Sequence, residues 1–231
     1  RYSDAFVDGI LEAYEAAMDS MLKNRYVSEV SIISENAVKQ IAQFNDTVCE
    51  YDRSKTVSDM FTEMVQNIPT HTAVVFKDKK YTYQELDEIS DRLGKYITSL
   101  GIGTEDVVSI LIPRCEYMAI APMGVIKAGA AYQPLATSYT KDRLMYMLED
   151  SAAKLLIADR ELLHLVEGYQ GTVLFTDEIM QLESKDIALK KPQLHDLFIL
   201  LYTSGSTGVP KGCMLEYGNI TAFCRWYRKY Y

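Results

Sequence analysis

The chain has 231 residues, 48% of them hydrophobic, with a formal net charge of −8 and an isoelectric point near 5.0. That size and apolar share suit one large domain with an appendage and leave no room for two complete enzyme domains. The acidic balance disfavours nucleic acid as a partner, because neutralising phosphates needs a concentrated basic face. No window approaches about eighteen consecutive apolar residues and no basic-then-apolar leader opens the chain, so the sequence shows neither a membrane span nor a secretory signal, and a cytoplasmic location is the default expectation.

Residues 2–22 follow a helical period, with Phe6, Ile10, Tyr14, Met18 and Met21 on one stripe. The pattern begins abruptly without an initiating Met, and the surface that would cover the stripe is expected to lie outside the chain. From about residue 56, helices alternate with short apolar runs, which predicts a largely parallel sheet with crossover helices. The clearest helix is 84–100, with Leu86, Ile89, Leu93, Tyr96 or Ile97, and Leu100 inward and Gly101 at the stop. Thr82 and Glu85 make a capping box at its start, contributing about 1 kcal/mol. Residues 106–112 read as a buried strand. Residues 116–128 read as a helix of small and apolar side chains, with Pro122 placed to kink it and Gly129 letting the chain turn closely afterwards.

The next helix, 141–150, turns Leu144, Met147 and Leu148 inward and Arg143, Glu149 and Asp150 toward water. Adjacent helical positions diverge by about 100°, so Glu149 and Asp150 read as a solvated pair and not as an acid/base couple. Residues 153–158 and 172–176 are short strands. A polar connection, 186–193, leads into an apolar strand at 196–202. The last helix, 219–231, interleaves Phe223, Trp226, Tyr227 and Tyr230 with Arg225, Arg228 and Lys229; an amphipathic face with snorkelling cations accounts for this more simply than a single-stranded nucleic-acid site.

Directly after the apolar strand comes Thr203-Ser204-Gly205-Ser206-Thr207-Gly208-Val209-Pro210-Lys211-Gly212. The glycines permit positive φ and close backbone approach to an anion, the four hydroxyls add donors, and Lys211 adds a mobile charge. Such a loop at the C-terminal edge of a parallel sheet sits where open α/β folds bind ligands. A nucleoside-triphosphatase loop would need Gly before the lysine and Ser or Thr after it; Pro210 and Gly212 stand there instead. Gly101-Ile102-Gly103 follows a helix and lacks the third glycine of a dinucleotide fingerprint. Cys49, Cys115, Cys213 and Cys224 are scattered and expected to be reduced thiols, and His71, His164 and His195 show no zinc-like spacing, so no metal ligands are assigned.

The ten-residue loop resembles the signature loop of the adenylate-forming enzymes, and within them the amino-acid adenylation domains of nonribosomal peptide synthetases. Tyr81-Thr82-Tyr83-Gln84-Glu85-Leu86 is similar to the family's first core motif, and residues 126–135, Ile126 to Leu135, resemble its second. Four positions depart from the pattern. Gln133 replaces an aliphatic residue, Ala136 an Asp and Thr140 a Pro, all expected to concern packing; Tyr217 stands where His is frequent, a position expected to border the active site.

The resemblance implies an α/β fold of layered, largely parallel sheets with crossover helices, forming an incomplete N-terminal subdomain. It further implies a C-terminal condensation-domain helix at 1–25, a condensation–adenylation linker at 26–55 and the first part of an adenylation domain at 56–231. The implied reaction is attack of an amino-acid carboxylate on the α-phosphate of ATP, assisted by Mg2+, to give an aminoacyl adenylate and pyrophosphate. The acyl group then passes to a phosphopantetheine thiol on a carrier domain downstream, with a condensation domain upstream. Thr203, Ser204, Gly205, Ser206, Thr207 and Gly208 would embrace the β- and γ-phosphates and Lys211 would offset charge as pyrophosphate leaves. No catalytic residue is assigned within this segment, which is not expected to complete adenylation by itself. Two other readings are a free-standing acyl-CoA or aryl-acid synthetase and a non-enzymatic interdomain docking module.

Overall fold

The computed structural model describes residues 2–204 and 209–230. The chain separates into two compact units, Arg1–Glu50 and Tyr51–Tyr231. In the first, α1 (Asp4–Lys23) is capped by the Ser3 hydroxyl, which accepts from the Phe6 N–H, and α2 (Glu35–Asn45) by the Ser34 hydroxyl, which accepts from the Ala37 N–H. A short 3-10 turn, Val27–Glu29, lies between them. Polar ties hold the segments together. The Ser20 hydroxyl accepts from the Ser31 N–H at 2.9 Å. The Glu12 carboxylate accepts from the Ser34 hydroxyl and the Asn36 amide. Neither helix buries a residue, and Phe6, Ile10, Tyr14, Met18 and Met21 are all exposed.

The second unit opens with α3 (Val57–Asn67), whose capping box is Thr56 with Asp59, and an antiparallel hairpin, β1 (Thr72–Phe76) and β2 (Lys79–Thr82). Then follow α4 (Tyr83–Ser99), β3 (Val107–Leu111), α5 (Tyr117–Lys127), β4 (Ala131–Pro134), α6 (Lys141–Asp150) and β5 (Leu155–Ala158). A 3-10 stretch (Arg160–Val166), β6 (Thr172–Phe175), α7 (Thr176–Ile179), β7 (Leu197–Ser204), β8 (Pro210–Glu216) and α8 (Tyr217–Tyr230) complete it. The main sheet runs β6-β5-β3-β4-β7-β8, with the first five strands parallel and β8 antiparallel to β7. Every residue of β3 and β5 is buried, as expected of strands covered on both faces, which is why they read as apolar runs, broken only by Ser109 in β3.

The expected α/β architecture is therefore present, with local differences. The capping box is formed: the Glu85 N–H donates to the Thr82 hydroxyl and the Thr82 N–H to the Glu85 carboxylate. Leu100, expected on the inner stripe of α4, is 43% exposed because the helix has already ended at Ser99. The rest of that stripe packs on α5, where Gly124 lies against the fully buried Leu93 and Gly94 against Lys127. Lys127 closes the crossing by donating to the Asp87 carbonyl and carboxylate, both at 2.7 Å. Gly129 turns the chain at φ +76° into β4. Strand β8 was not legible as a strand at all, and it defines the site.

Candidate functional site

β7 leaves the core as it runs. Its first four residues are buried and its last four, Leu201 to Ser204, are mostly exposed. The chain then reverses and returns as β8, with Tyr202 opposite Gly212, Thr203 opposite Lys211 and Ser204 opposite Pro210. The described residues of the signature segment thus form an antiparallel strand pair, a β7–β8 hairpin, with Thr203 and Ser204 on its first strand. Gly205, Ser206, Thr207 and Gly208 lie outside the described residues.

Directly opposed residues of an antiparallel pair share a face, and successive residues alternate. Thr203 and Lys211 therefore stand on one face of the hairpin, Tyr202 and Gly212 on the other. Lys211 is exposed and forms no ion pair among the described residues. A hydroxyl and an uncommitted ammonium facing each other at the C-terminal edge of a parallel sheet suit an anionic polyphosphate. Gly212 has a different purpose from the positive φ expected of it. It is a regular β8 residue, and a β-carbon there would lie 3.1 Å from Leu200 Cδ1, a tight approach, and 3.5 Å from Cζ of the Tyr202 ring, an ordinary contact.

That ring reaches α6. The Tyr202 hydroxyl donates to Asp150 at 2.6 Å, and the Tyr146 hydroxyl lies 3.4 Å from both the Asp150 carboxylate and the Pro210 carbonyl. Burial, then the Asp150 hydrogen bond and charge, push the Tyr202 phenol well above its ordinary range. Asp150 is exposed, as read from the sequence, but it is committed to tyrosine partners and not simply solvated. The signal available was its i, i+4 spacing from Tyr146; nothing local pointed to Tyr202.

The end of α6 is itself anchored by the unusual Gln133. Its side chain is fully buried, accepts from the Ser109 hydroxyl at 2.6 Å and the Ser151 hydroxyl at 2.9 Å, and donates to the Met147 carbonyl at 3.2 Å. Packing alone thus understates the role of Gln133: it is the hub of a satisfied buried network. Tyr217 is a core residue, fully buried, set edge-on to Phe198 at 4.9 Å and donating to the Ile126 carbonyl at 3.2 Å. Burial keeps its phenol far above the usual range, so it contributes no ionisable group.

The remaining candidates are peripheral. His195 is 94% exposed beside Glu216, the His164 ring caps the Glu161 carbonyl at 2.7 Å, and all four cysteines are free. Among the described residues no group of three His, Cys, Asp or Glu is gathered to hold a metal ion, and no helix is long and apolar enough to cross a membrane.

Residues 61–231 match the family described as AMP-binding enzyme. This chain belongs to that family. It is 36% identical over 196 residues to gramicidin S synthase 2 of Brevibacillus brevis, covering 84% of this chain and 4% of that protein. It is 34% identical over 236 residues to tyrocidine synthase 3 of Brevibacillus parabrevis, covering 100% of this chain and 4% of that protein. Among solved structures, the N-terminal subdomain of NpsA from Klebsiella oxytoca superposes with a TM-score of 0.66 at 28% identity, over 72% of this chain and 44% of that one. The AMPPNP-bound nonribosomal peptide synthetase FmoA3 superposes with a TM-score of 0.77 at 21% identity, over 97% of this chain and 24% of that one, a likeness of fold. The chain spans about 4% of the length of these curated synthases. Within the AMP-binding family it corresponds to part of the N-terminal subdomain of an adenylate-forming domain.

Proposed function

We propose that this chain is part of an ATP-dependent ligase of a nonribosomal peptide synthetase, one that activates an amino acid as its adenylate for transfer to a carrier-bound phosphopantetheine thiol. The observation that carries this reading is Thr203 facing Lys211 across the β7–β8 hairpin, at the C-terminal edge of the parallel sheet. From there Thr203 and Ser204, with Gly205, Ser206, Thr207 and Gly208 between the strands, would receive the β- and γ-phosphates of ATP. Lys211 would balance charge as pyrophosphate separates, an electrostatic and not a covalent role. Mg2+ would ride on the phosphate oxygens, its usual habit, without a dedicated protein cage.

The carrier partner is supported by an NpsA neighbour solved as an artificial adenylation–PCP fusion, alike at 27% identity. The assignment of residues 1–25 to a condensation-domain helix and of 26–55 to the linker is supported by the exposed stripe of α1 and by synthases that match along the whole chain. A cytoplasmic setting goes with ATP as co-substrate.

One observation favours a second substrate class. NpsA was solved with 3-hydroxyanthranilyl-AMSN and 3-hydroxybenzoyl-AMSN, so an aryl acid is the competing substrate. Substrate-dependent ATP–pyrophosphate exchange by the complete polypeptide tests both readings. Amino acids should support exchange and aryl acids should not, and Lys211→Ala should lower it about 100-fold, as loss of an electrostatic stabiliser does. Exchange indifferent to Lys211→Ala would remove the phosphate role.

A further inference from the structure

The hairpin is the last and most exposed part of the sheet. Among the described residues β8 is its edge strand, paired to β7 alone, and most of its residues are open to solvent. A two-stranded extension of this kind is marginal in water unless something outside it fixes its orientation. Here that something is α6. Tyr202, the residue before Thr203, is held at its hydroxyl by Asp150, and Pro210, the residue before Lys211, offers its carbonyl to Tyr146, which also reaches Asp150. Each of the two strands is thereby tied to the C-terminal half of one helix. That helix end is in turn fixed to β3 and β4 through Ser109, Gln133 and Ser151.

We propose that Asp150 is a positioning residue for the phosphate-binding hairpin, its carboxylate holding Tyr202 so that Thr203, Ser204 and Lys211 project from a fixed base. The inference rests on the reading of the hairpin as a polyphosphate grip. Asp150 touches neither nucleotide nor acid substrate; it acts through Tyr202. Its effect should follow from preorganisation, since a phosphate cradle that must first be ordered loses affinity and alignment.

Two measurements test this. In the 231-residue chain, Asp150→Ala and Tyr202→Phe should each speed hydrogen exchange of the ladder-bonded amides among residues 202–204 and 211–213 about tenfold and leave β3 and β5 unchanged. Tyr202→Phe removes a single oxygen, so it reports on the bond even if Asp150→Ala compromises folding. Asp150→Asn, which keeps an acceptor oxygen, should recover most of the protection. In the complete adenylating polypeptide, both variants should raise the KM for ATP about tenfold without changing the KM for the acid substrate, and the double variant should be no worse than either single one.

Unchanged exchange at the hairpin, or additive effects in the double variant, overturns the role of Asp150 and leaves the polyphosphate reading intact. An ATP affinity indifferent to Lys211→Ala overturns the polyphosphate reading, and the positioning role with it.

Discussion

Gly212 faces Tyr202 across the β7–β8 pair, and the 3.5 Å left between a β-carbon at the glycine and the ring's Cζ is only enough for a methyl group. Gly212→Ala should therefore be tolerated after Leu200 shifts by a few tenths of an ångström. Gly212→Val should displace the ring from Asp150 and cost about 1–3 kcal/mol, the usual range for overpacking. Thermal melts of the two variants, beside tyrosine-specific spectra, check the pair; equal stability of Gly212→Val and the parent would show that the ring has room elsewhere.

The crossing of α4 and α5 admits no side chain at residue 124. A β-carbon there would lie 2.4 Å from Leu93 Cγ and Cδ2 and 2.8 Å from its Cβ, and Leu93 is fully buried. Gly124→Ala should destabilise the second unit by about 1–3 kcal/mol despite its better helix propensity, because the helices must separate. Denaturant midpoints give the sign, and Leu93→Val should recover part of the loss if the clash is the cause.

Gln133→Leu would restore an aliphatic residue of similar size yet should destabilise the fold. The Ser109 hydroxyl is fully buried and donates to the Gln133 carbonyl oxygen, and losing that acceptor leaves it unsatisfied at a cost of about 1–3 kcal/mol. Adding Ser109→Ala should return much of the loss, since removing both partners is cheaper than removing one. Chemical denaturation of the single and double variants measures this; a stabilised single variant would mean that the network is not worth its burial.

Acid should act partly through Glu116, which is 3% exposed and paired with Lys79 of β2. Burial alone would raise its carboxyl, but the Lys79 ammonium and a backbone hydrogen bond outweigh this and leave it below its ordinary value of 4.5. A carboxylate lowered on folding stabilises the native state above its unfolded value, and that contribution disappears as pH falls through the lowered one. Asp59 behaves alike, with burial opposed by Lys191 and Thr56. The melting temperature should therefore decline below about pH 4.5. In Lys79→Met, burial without the ammonium should start the decline at higher pH. Superimposable pH profiles for the parent and Lys79→Met would exclude Glu116 as the group responsible.

The helices and buried strands were legible because their causes are local. The Thr82–Glu85 box, the Leu86–Ile89–Leu93–Ile97 stripe and the largely apolar runs of β3 and β5 each carry their own structural instruction within a few residues. Residues 210–216 were not legible as a strand, since Pro210 and Gly212 argue against one and only pairing with β7 makes it. Hydrophobic period also misplaced Leu100, because the helix stops one residue earlier than the apolar pattern does.

The sequence by itself determined the family's signature residues, the α/β alternation and the chemistry available at the loop, because residue type and spacing suffice to name donors, cations and periods. Only the tertiary structure decided that Thr203 and Ser204 pair with Lys211 and Pro210 across two antiparallel strands, that Tyr217 is core, and that Asp150 is bound to a tyrosine 52 positions away. Those facts depend on which side chains the folded sheet brings together, and contacts that distant in the chain leave no periodic trace in it.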